Sequence, residues 1–273
     1  MSKRSLNQLW VIGITCLSCL GAILGALALG YAFDFSTGQF NSFAPLWILT
    51  LVLGAVTALA AGLYPIFALK NEVYSPDYKI SPFMDFASLF AASMLVLDAV
   101  STHLRNRNPA QNLLTIKAIL AVAAALFFVA LFTKRALGTP IMTGLAALTT
   151  LWAVFEAFHT FLSPTFSMTS PFRTFPQLPC LALALFMLTE AKVSSRDARG
   201  VSEGEPKKKI VSARLLIGFA AFGGTLSILI GGAIVLAYVF HLNRAGMPAT
   251  DAVWLVALGI YALGRTKQIL LPK

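Results

Sequence analysis

The chain has 273 residues, of which 58% are hydrophobic and only 12% are charged. A soluble domain carries roughly twice that charged fraction, so the composition excludes an ordinary soluble globular protein. The formal net charge of +10 would suit a nucleic-acid-binding protein if the basic residues formed one surface. They lie instead between long apolar segments, which indicates an integral membrane protein and no nucleic acid partner.

Eight apolar segments follow one another along the chain, each long enough or nearly long enough to cross a bilayer, which takes about 20 residues. In lipid every backbone polar group must be satisfied within its own segment, so these segments are helices. We predict an all-α bundle of eight transmembrane helices that forms a single domain over residues 1–273. The predicted spans are 9–33, 44–69, 83–102, 112–132, 141–163, 174–190, 213–240 and 250–265.

The first span begins like a signal peptide, because Lys3 and Arg4 precede its apolar run. The run continues to Phe33 without a small-residue cleavage site, which favours a retained helix. The three cysteines of the chain are too few for a disulfide framework. Since buried free cysteines behave as small apolar residues, we expect a packing role for them, and no cofactor.

The basic residues are distributed unevenly between the loops. With the N terminus in the cytoplasm, sixteen of the 21 lysines and arginines lie in cytoplasmic segments, four lie in outer loops and Lys117 lies within a span. This bias predicts that both termini are cytoplasmic. We expect the plasma (inner) membrane of a bacterial-type cell.

The loop between the sixth and seventh spans is the longest polar segment. Residues 191–213 are charged and poor in aromatic residues, which is typical of a flexible linker. Its basic run Lys207–Lys209 either sets the topology or attracts anionic lipid headgroups. The loop is also the candidate contact surface for a membrane protein partner.

Two spans carry small residues at helical spacing, the pattern that lets helix backbones approach closely in lipid. The two stripes are Ser18, Gly21, Gly25 and Ala28 in the first span, and Ala220, Gly224, Ser227 and Gly231 in the seventh. The sixth span is irregular, because Pro171, Pro176 and Pro179 interrupt its start. A short, proline-interrupted span is a pointer to a binding site in transporters, although a tilted span would look the same.

Four polar residues within the spans require an explanation, because a charge at the centre of a bilayer costs about 2.5–3.5 kcal/mol on insertion scales. They are Asp98 in the third span, Lys117 in the fourth, and Glu156 and His159 in the fifth. At 1.5 Å per residue, all four lie in the outer half of the membrane. Their helix faces also carry small residues, so we expect them to face protein rather than lipid.

These four residues allow several interpretations. Asp98 and Lys117 flank one hairpin and suit a structural ion pair, while Glu156 needs a partner or a proton. The Glu-x-x-His pattern of Glu156 and His159 occurs twice in di-metal bundles but once here. Glu156, His159 and Asp98 remain an alternative mononuclear site, but we predict no metal. Zinc-protease, nucleophile-elbow and P-loop motifs are absent from the sequence.

Three functions remain open at this stage. The sequence favours a transporter or permease component that binds a small solute or ion in an outward-facing polar cavity. Its substrate-binding residues would be Glu156, His159, Asp98 and Lys117. The alternative is a non-catalytic sensor, immunity or accessory subunit that acts through a membrane partner at the 191–213 loop. An intramembrane enzyme is the third, and only Glu156 with His159 would serve as its catalytic pair.

Overall fold

The computed structural model describes residues 3–34, 39–40, 45–69, 81–105, 112–133, 139–162, 177–198, 206–240 and 249–271. Within these ranges the chain forms eight α-helices and one antiparallel pair of two-residue strands. The strands, β1 (Phe33–Asp34) and β2 (Gln39–Phe40), pair Phe33 with Phe40. The helices are α1 (Lys3–Tyr31), α2 (Pro45–Ala68), α3 (Pro82–Arg105), α4 (Asn112–Phe132), α5 (Thr139–Leu162), α6 (Gln177–Ala198), α7 (Pro206–Val239) and α8 (Ala249–Leu270).

Six of the described helices, α1 to α5 and α7, are long and apolar enough to cross a membrane. Large apolar side chains are exposed along all of α1 to α6, and a monomeric soluble protein rarely exposes apolar surface on this scale. The described part of the chain therefore suits a helical bundle embedded in a membrane. The helices α6 and α8 are less apolar, although each has 22 residues and is about 33 Å long.

The observed helices match the predicted spans closely, and the largest differences are extensions. The fourth span, predicted over 112–132, coincides with α4. The segment 191–213 is more helical than the linker expected there, because α6 continues to Ala198 and α7 begins at Pro206. The remainder of that linker, residues 199–205, lies outside the described residues. Of the three prolines at the sixth span, Pro179 lies in the first turn of α6, where proline is tolerated, and the other two also lie outside them.

The last helix, α8, lies at the centre of the bundle. It packs against α1, α3, α6 and α7, and its aromatic side chains reach two further helices. Trp254 meets Trp152 of α5 with 4.8 Å between ring centroids, and Tyr261 meets Phe128 of α4 at 4.9 Å. Most residues from 252 to 266 are buried. Because protein rather than lipid surrounds α8, it does not need the apolarity of a lipid-facing helix.

The helix α6 has one face toward the bundle and one face away from it. Its exposed face is a stripe of leucines at helical spacing. The stripe consists of Leu178, Leu181, Leu185 and Leu188, each 44–55% exposed. The opposite face, with Cys180, Leu183 and Phe186, is buried. An apolar outer stripe of this length is what a helix at the edge of a membrane bundle requires.

The two stripes of small residues form close helix contacts, as predicted. A Cβ atom on Gly224 would lie 3.1 Å from the carbonyl oxygen of Gly259 in α8. On α1, a Cβ on Gly25 would lie 2.8 Å from Ala233 Cβ of α7, and Gly21 lies against Leu229 of the same helix. The absence of side chains on these glycines lets α7 approach both α1 and α8 at backbone distance.

Candidate functional site

Three of the four predicted site residues meet in one buried ionic cluster. The Lys117 ammonium lies 3.0 Å from Glu156 Oε1 and 3.4 Å from Asp98 Oδ1. The side chains of Lys117, Glu156 and Asp98 are 3%, 1% and 0% exposed. Lys117, on α4, therefore links α3 and α5 through ionic contacts that are buried from solvent.

The local sequence explains why these side chains meet. The helices α3 and α4 are consecutive and pack together. Asp98 lies about 10 Å before the end of α3, and Lys117 lies about 8 Å after the start of α4, so their depths match. Ala121 and Ala124 follow Lys117 on the same face of α4, and both are fully buried. Small residues on this face let the neighbouring helices close around the charge.

The hydrogen bonds within the cluster are unevenly distributed. Lys117 donates one to Glu156 at 3.0 Å. Among the residues that the structure describes, neither carboxylate oxygen of Asp98 accepts a hydrogen bond, although both are buried. A buried polar group without a hydrogen bond costs about 1–3 kcal/mol, and a charged one costs more. Asp98 therefore lies at salt-bridge distance from Lys117 without a hydrogen bond to its carboxylate from the described residues.

A fourth charged residue belongs to this site and was not predicted from the sequence. Asp251, in the first turn of α8, is half-buried and interacts electrostatically with Asp98, Lys117 and Glu156. An acidic residue in the first turn of a helix is commonly a partner of the helix dipole, so its position alone does not suggest a site. The sequence does place Asp251 near the start of the eighth predicted span, which lies on the same side of the membrane as Asp98, Lys117 and Glu156, so its depth could have indicated that it belongs to the site.

The composition of the cluster determines what it can do chemically. Among the residues that the structure describes, it brings together the carboxyl groups of Asp98, Glu156 and Asp251 and the ammonium group of Lys117. A buried charge without full compensation is costly in a low-dielectric interior, and this cost applies to Asp98, whose two carboxylate oxygens accept no hydrogen bond from the described residues.

The fourth predicted site residue, His159, lies at the edge of the cluster. Its half-buried ring stacks on Phe155 with 6.3 Å between centroids, and it interacts electrostatically with Lys117 and Asp251. Within the described ranges, no group of three His, Cys, Asp or Glu side chains is arranged to hold a metal ion. The geometry therefore gives no support to the mononuclear metal site considered from the sequence.

Two tryptophans lie one helical turn inward from the acidic residues. Trp152 precedes Glu156 by four residues on α5, and Trp254 follows Asp251 by three residues on α8. Both side chains are fully buried, and neither indole N–H has a hydrogen-bond partner in the described part of the chain. Buried tryptophans usually find a partner for this group. Asp98 on α3, Trp152 on α5 and Trp254 on α8 therefore each carry a buried polar atom without a hydrogen bond from the described residues. All three lie in the same half of the bundle.

A second buried ion pair lies near the other end of α8. Arg265 Nε donates a hydrogen bond to Glu190 Oε1 of α6 at 2.7 Å, and Arg265 Nη1 donates to Gln268 Oε1, also at 2.7 Å. Arg265 ends the eighth predicted span and is one of the sixteen basic residues that the sequence assigns to the cytoplasmic side. Its side chain is fully buried within the bundle. Arg265 follows Asp251 by about 21 Å along α8, so ionic contacts hold both ends of the central helix.

Comparison of the chain with protein-family models, with curated proteins and with solved structures found no match in any of the three. The fold and the site are those of an all-helical bundle with six helices long and apolar enough to cross a membrane and with a buried ionic cluster. Because a fold does not by itself imply a function, the function is inferred from the site.

Proposed function

We propose that the chain is a transporter or permease component, and that its ionic cluster takes up a proton or a small cation during transport. The observation that supports this proposal is the buried contact of the Lys117 ammonium with Glu156 at 3.0 Å and with Asp98 at 3.4 Å, where neither carboxylate oxygen of Asp98 accepts a hydrogen bond from the described residues. Buried ionisable residues in membrane-spanning helices commonly mark ion pathways and proton relays.

The closed geometry of the cluster fits one state of such a protein. Asp98, Lys117 and Glu156 are each 3% exposed or less, so a ligand reaches them only after the surrounding helices move apart. The outward-facing cavity expected from the sequence would belong to that opened state. The central helix α8 touches the cluster through Asp251, and a shift of α8 would therefore change the charges around Lys117.

The proposal includes a topology of eight spans with both termini in the cytoplasm. The leucine stripe of α6 and the central position of α8 support spanning roles for these two less apolar helices. Single cysteines introduced at residues 108 and 203 test the topology in a variant that lacks the three native cysteines. A membrane-impermeant maleimide should label intact cells at position 108 and should label position 203 only after the cells are opened. The reverse pattern, or labelling of both in intact cells, would refute the proposed sides.

Transport is tested with purified protein in liposomes that contain a pH-sensitive dye. A potassium diffusion potential, negative inside, drives cations inward, and proton entry is then recorded in external media of sodium, lithium or choline that contain little potassium. Wild type should show a flux above that of empty liposomes, and Glu156→Gln and Asp98→Asn should each reduce it at least tenfold. Ser93→Ala, on an exposed side chain of α3, is the matched control and should transport normally.

Thermal stability gives an independent reading of the same site. A cation that binds only the folded protein raises the melting temperature by mass action. We expect one of lithium, sodium or potassium, at matched ionic strength against choline, to stabilise wild type more than Asp98→Asn. If no cation stabilises the protein and its flux equals that of empty liposomes, the cluster is structural and the transport proposal fails.

That failure would favour the accessory-subunit function considered from the sequence. Deletion of residues 199–205, between α6 and α7, should then abolish a cellular phenotype without lowering the amount of protein in the membrane. Co-purification of the same membrane protein with wild type, and its loss in the deletion variant, would support that alternative.

A further inference from the structure

An apolar groove lies between α1, α2 and α7, with Leu178 of α6 also in its lining, and it contains none of the residues of the ionic cluster. It has a volume of about 210 Å³ and is open on one side. Gly21 and Gly25 line it from α1, Gly54 from α2, and Leu229 and Ala233 from α7. Gly21 and Gly25 let α1 pack directly against Leu229 and Ala233 of α7, and Gly54 leaves the α2 wall without a side chain. A Cβ atom on Gly54 would lie 3.8 Å from Leu229 Cδ1, an ordinary van der Waals distance, so the wall accepts a side chain at this position.

The lining of the groove selects an apolar occupant. Its residues are leucines, isoleucines, alanines and glycines, with Trp47 and Thr50 of α2. The Thr50 hydroxyl already donates to the carbonyl oxygen of Leu46 at 2.7 Å. A polar ligand would lose its hydrogen bonds to water and gain few in return, which costs several kcal/mol in an apolar site.

The opening of the groove is continuous with the membrane-facing surface of the bundle. The lining residues Leu51, Ala55 and Leu178 are exposed. On α2 the exposed apolar side chains continue past the groove through Val52, which is 56% exposed, and Val56, which is 60% exposed. In a bilayer this surface meets hydrocarbon, so the groove opens to lipid tails.

The dimensions of the groove match one lipid chain in one leaflet. Its lining covers residues 21–29 of α1, 47–55 of α2 and 226–234 of α7, each about 12 Å long. Half of a hydrocarbon core of about 30 Å is about 15 Å. A second helix, about 10–12 Å in diameter, would need a far larger volume than the groove offers.

We propose that this groove binds one acyl chain of a membrane lipid, in the leaflet on the side of the ionic cluster. The assignment to that side follows from the helix directions. The groove lies toward the ends of α1 and α7 and the start of α2. The cluster follows the same rule, because Asp98 and Glu156 lie toward the ends of α3 and α5, and Lys117 lies toward the start of α4. Odd-numbered helices from α1 to α7 run in one direction and even-numbered helices in the other, so the groove and the cluster lie on the same side. The lipid site is independent of transport, since its lining contains none of the cluster residues.

The test uses proteoliposomes that contain a trace of phosphatidylcholine with a diazirine in the middle of one acyl chain. After illumination, the labelled peptides are identified by mass spectrometry. We expect at least fivefold more label on groove residues of α1, α2 and α7 than on Ile119 of α4, which is 63% exposed and reports ordinary contact with lipid. Gly54→Leu should reduce the groove label at least fivefold, because its side chain occupies the position of the acyl chain.

The control variant is Gly144→Leu on α5, since a Cβ atom added at Gly144 would have no other atom within 4 Å. It should leave the groove label unchanged. If Gly54→Leu does not fold, Ala55→Phe narrows the mouth of the groove from its exposed rim and should give the same loss. Equal labelling of the groove and Ile119 would overturn the proposal, as would label that persists in a folded Gly54→Leu or Ala55→Phe protein.

Discussion

Lys117 donates a hydrogen bond to Glu156 at 3.0 Å, although 39 residues separate them in the chain. The same ammonium lies 3.4 Å from Asp98, so one lysine holds two carboxylates from two neighbouring helices. Removal of the lysine would therefore affect the bundle more than removal of either acid. This asymmetry distinguishes the cluster from a simple pair of one cation and one anion.

Lys117→Met should be the most destabilising single change in the cluster. It leaves Asp98 and Glu156 buried without their cation, and breaking a buried ionic contact in this way costs about 3–5 kcal/mol. The double variant with Glu156→Gln should regain part of that loss, because it removes one of the unpaired charges. Unfolding of the purified protein in mixed micelles with increasing SDS measures all three proteins. A double variant no more stable than Lys117→Met would contradict this explanation.

Arg265→Lys should destabilise the protein although it keeps the charge. The guanidinium uses two different nitrogens to bind Glu190 and Gln268, and a lysine ammonium does not reproduce this fork. We expect a loss of about 1–3 kcal/mol, the cost of leaving a buried polar group unsatisfied, in the same unfolding measurement. Lys267→Arg, at an exposed side chain of the same helix, is the control and should have little effect. Equal stability of Arg265→Lys and wild type would refute the role given to the fork.

Gly224→Ala and Gly144→Ala should have opposite effects. At Gly224 the new methyl would meet Leu263 Cγ at 2.9 Å and the Gly259 carbonyl oxygen at 3.1 Å, and overpacking of this kind costs about 1–3 kcal/mol. At Gly144 nothing lies within 4 Å. Alanine is favoured over glycine inside a helix by about 0.5–1 kcal/mol, so Gly144→Ala should be neutral or stabilising. Two equal changes in thermal stability would show that α7 and α8 do not depend on this contact.

Tyr261→Ala should cost much more stability than Leu185→Ala. Tyr261 is fully buried on the central helix and touches the rings of Phe128 and Phe186. Loss of a large buried aromatic ring costs about 3–5 kcal/mol. Leu185 is 44% exposed on the outer stripe of α6, so detergent or lipid replaces its contacts. Comparable losses in the two variants would place α8 at the edge of the bundle rather than at its centre.

The helices themselves could be predicted from the sequence because their signal is local. A run of apolar residues with the length of a membrane crossing identifies a helix wherever it lies, and the bounds of α4 were predicted to the residue. The depths of Asp98, Lys117 and Glu156 were also accessible, since the rise per residue is constant. The contact between Asp98 and Lys117 could also be predicted, because α3 and α4 are consecutive and the two residues lie at matched depths.

The partners across the bundle were decided by tertiary structure. Arg265 and Glu190 are 75 residues apart, and Asp251 reaches the cluster from the last helix. Which helix lies at the centre depends on how all the helices pack, and no periodicity within α8 reports it. The sequence by itself determined the all-helical, apolar class, the helices and the position of each charge along its helix, since these depend on local composition and a constant helical rise. Only the tertiary structure decided which charges meet and where the groove opens, because both depend on contacts between helices that are distant in the chain.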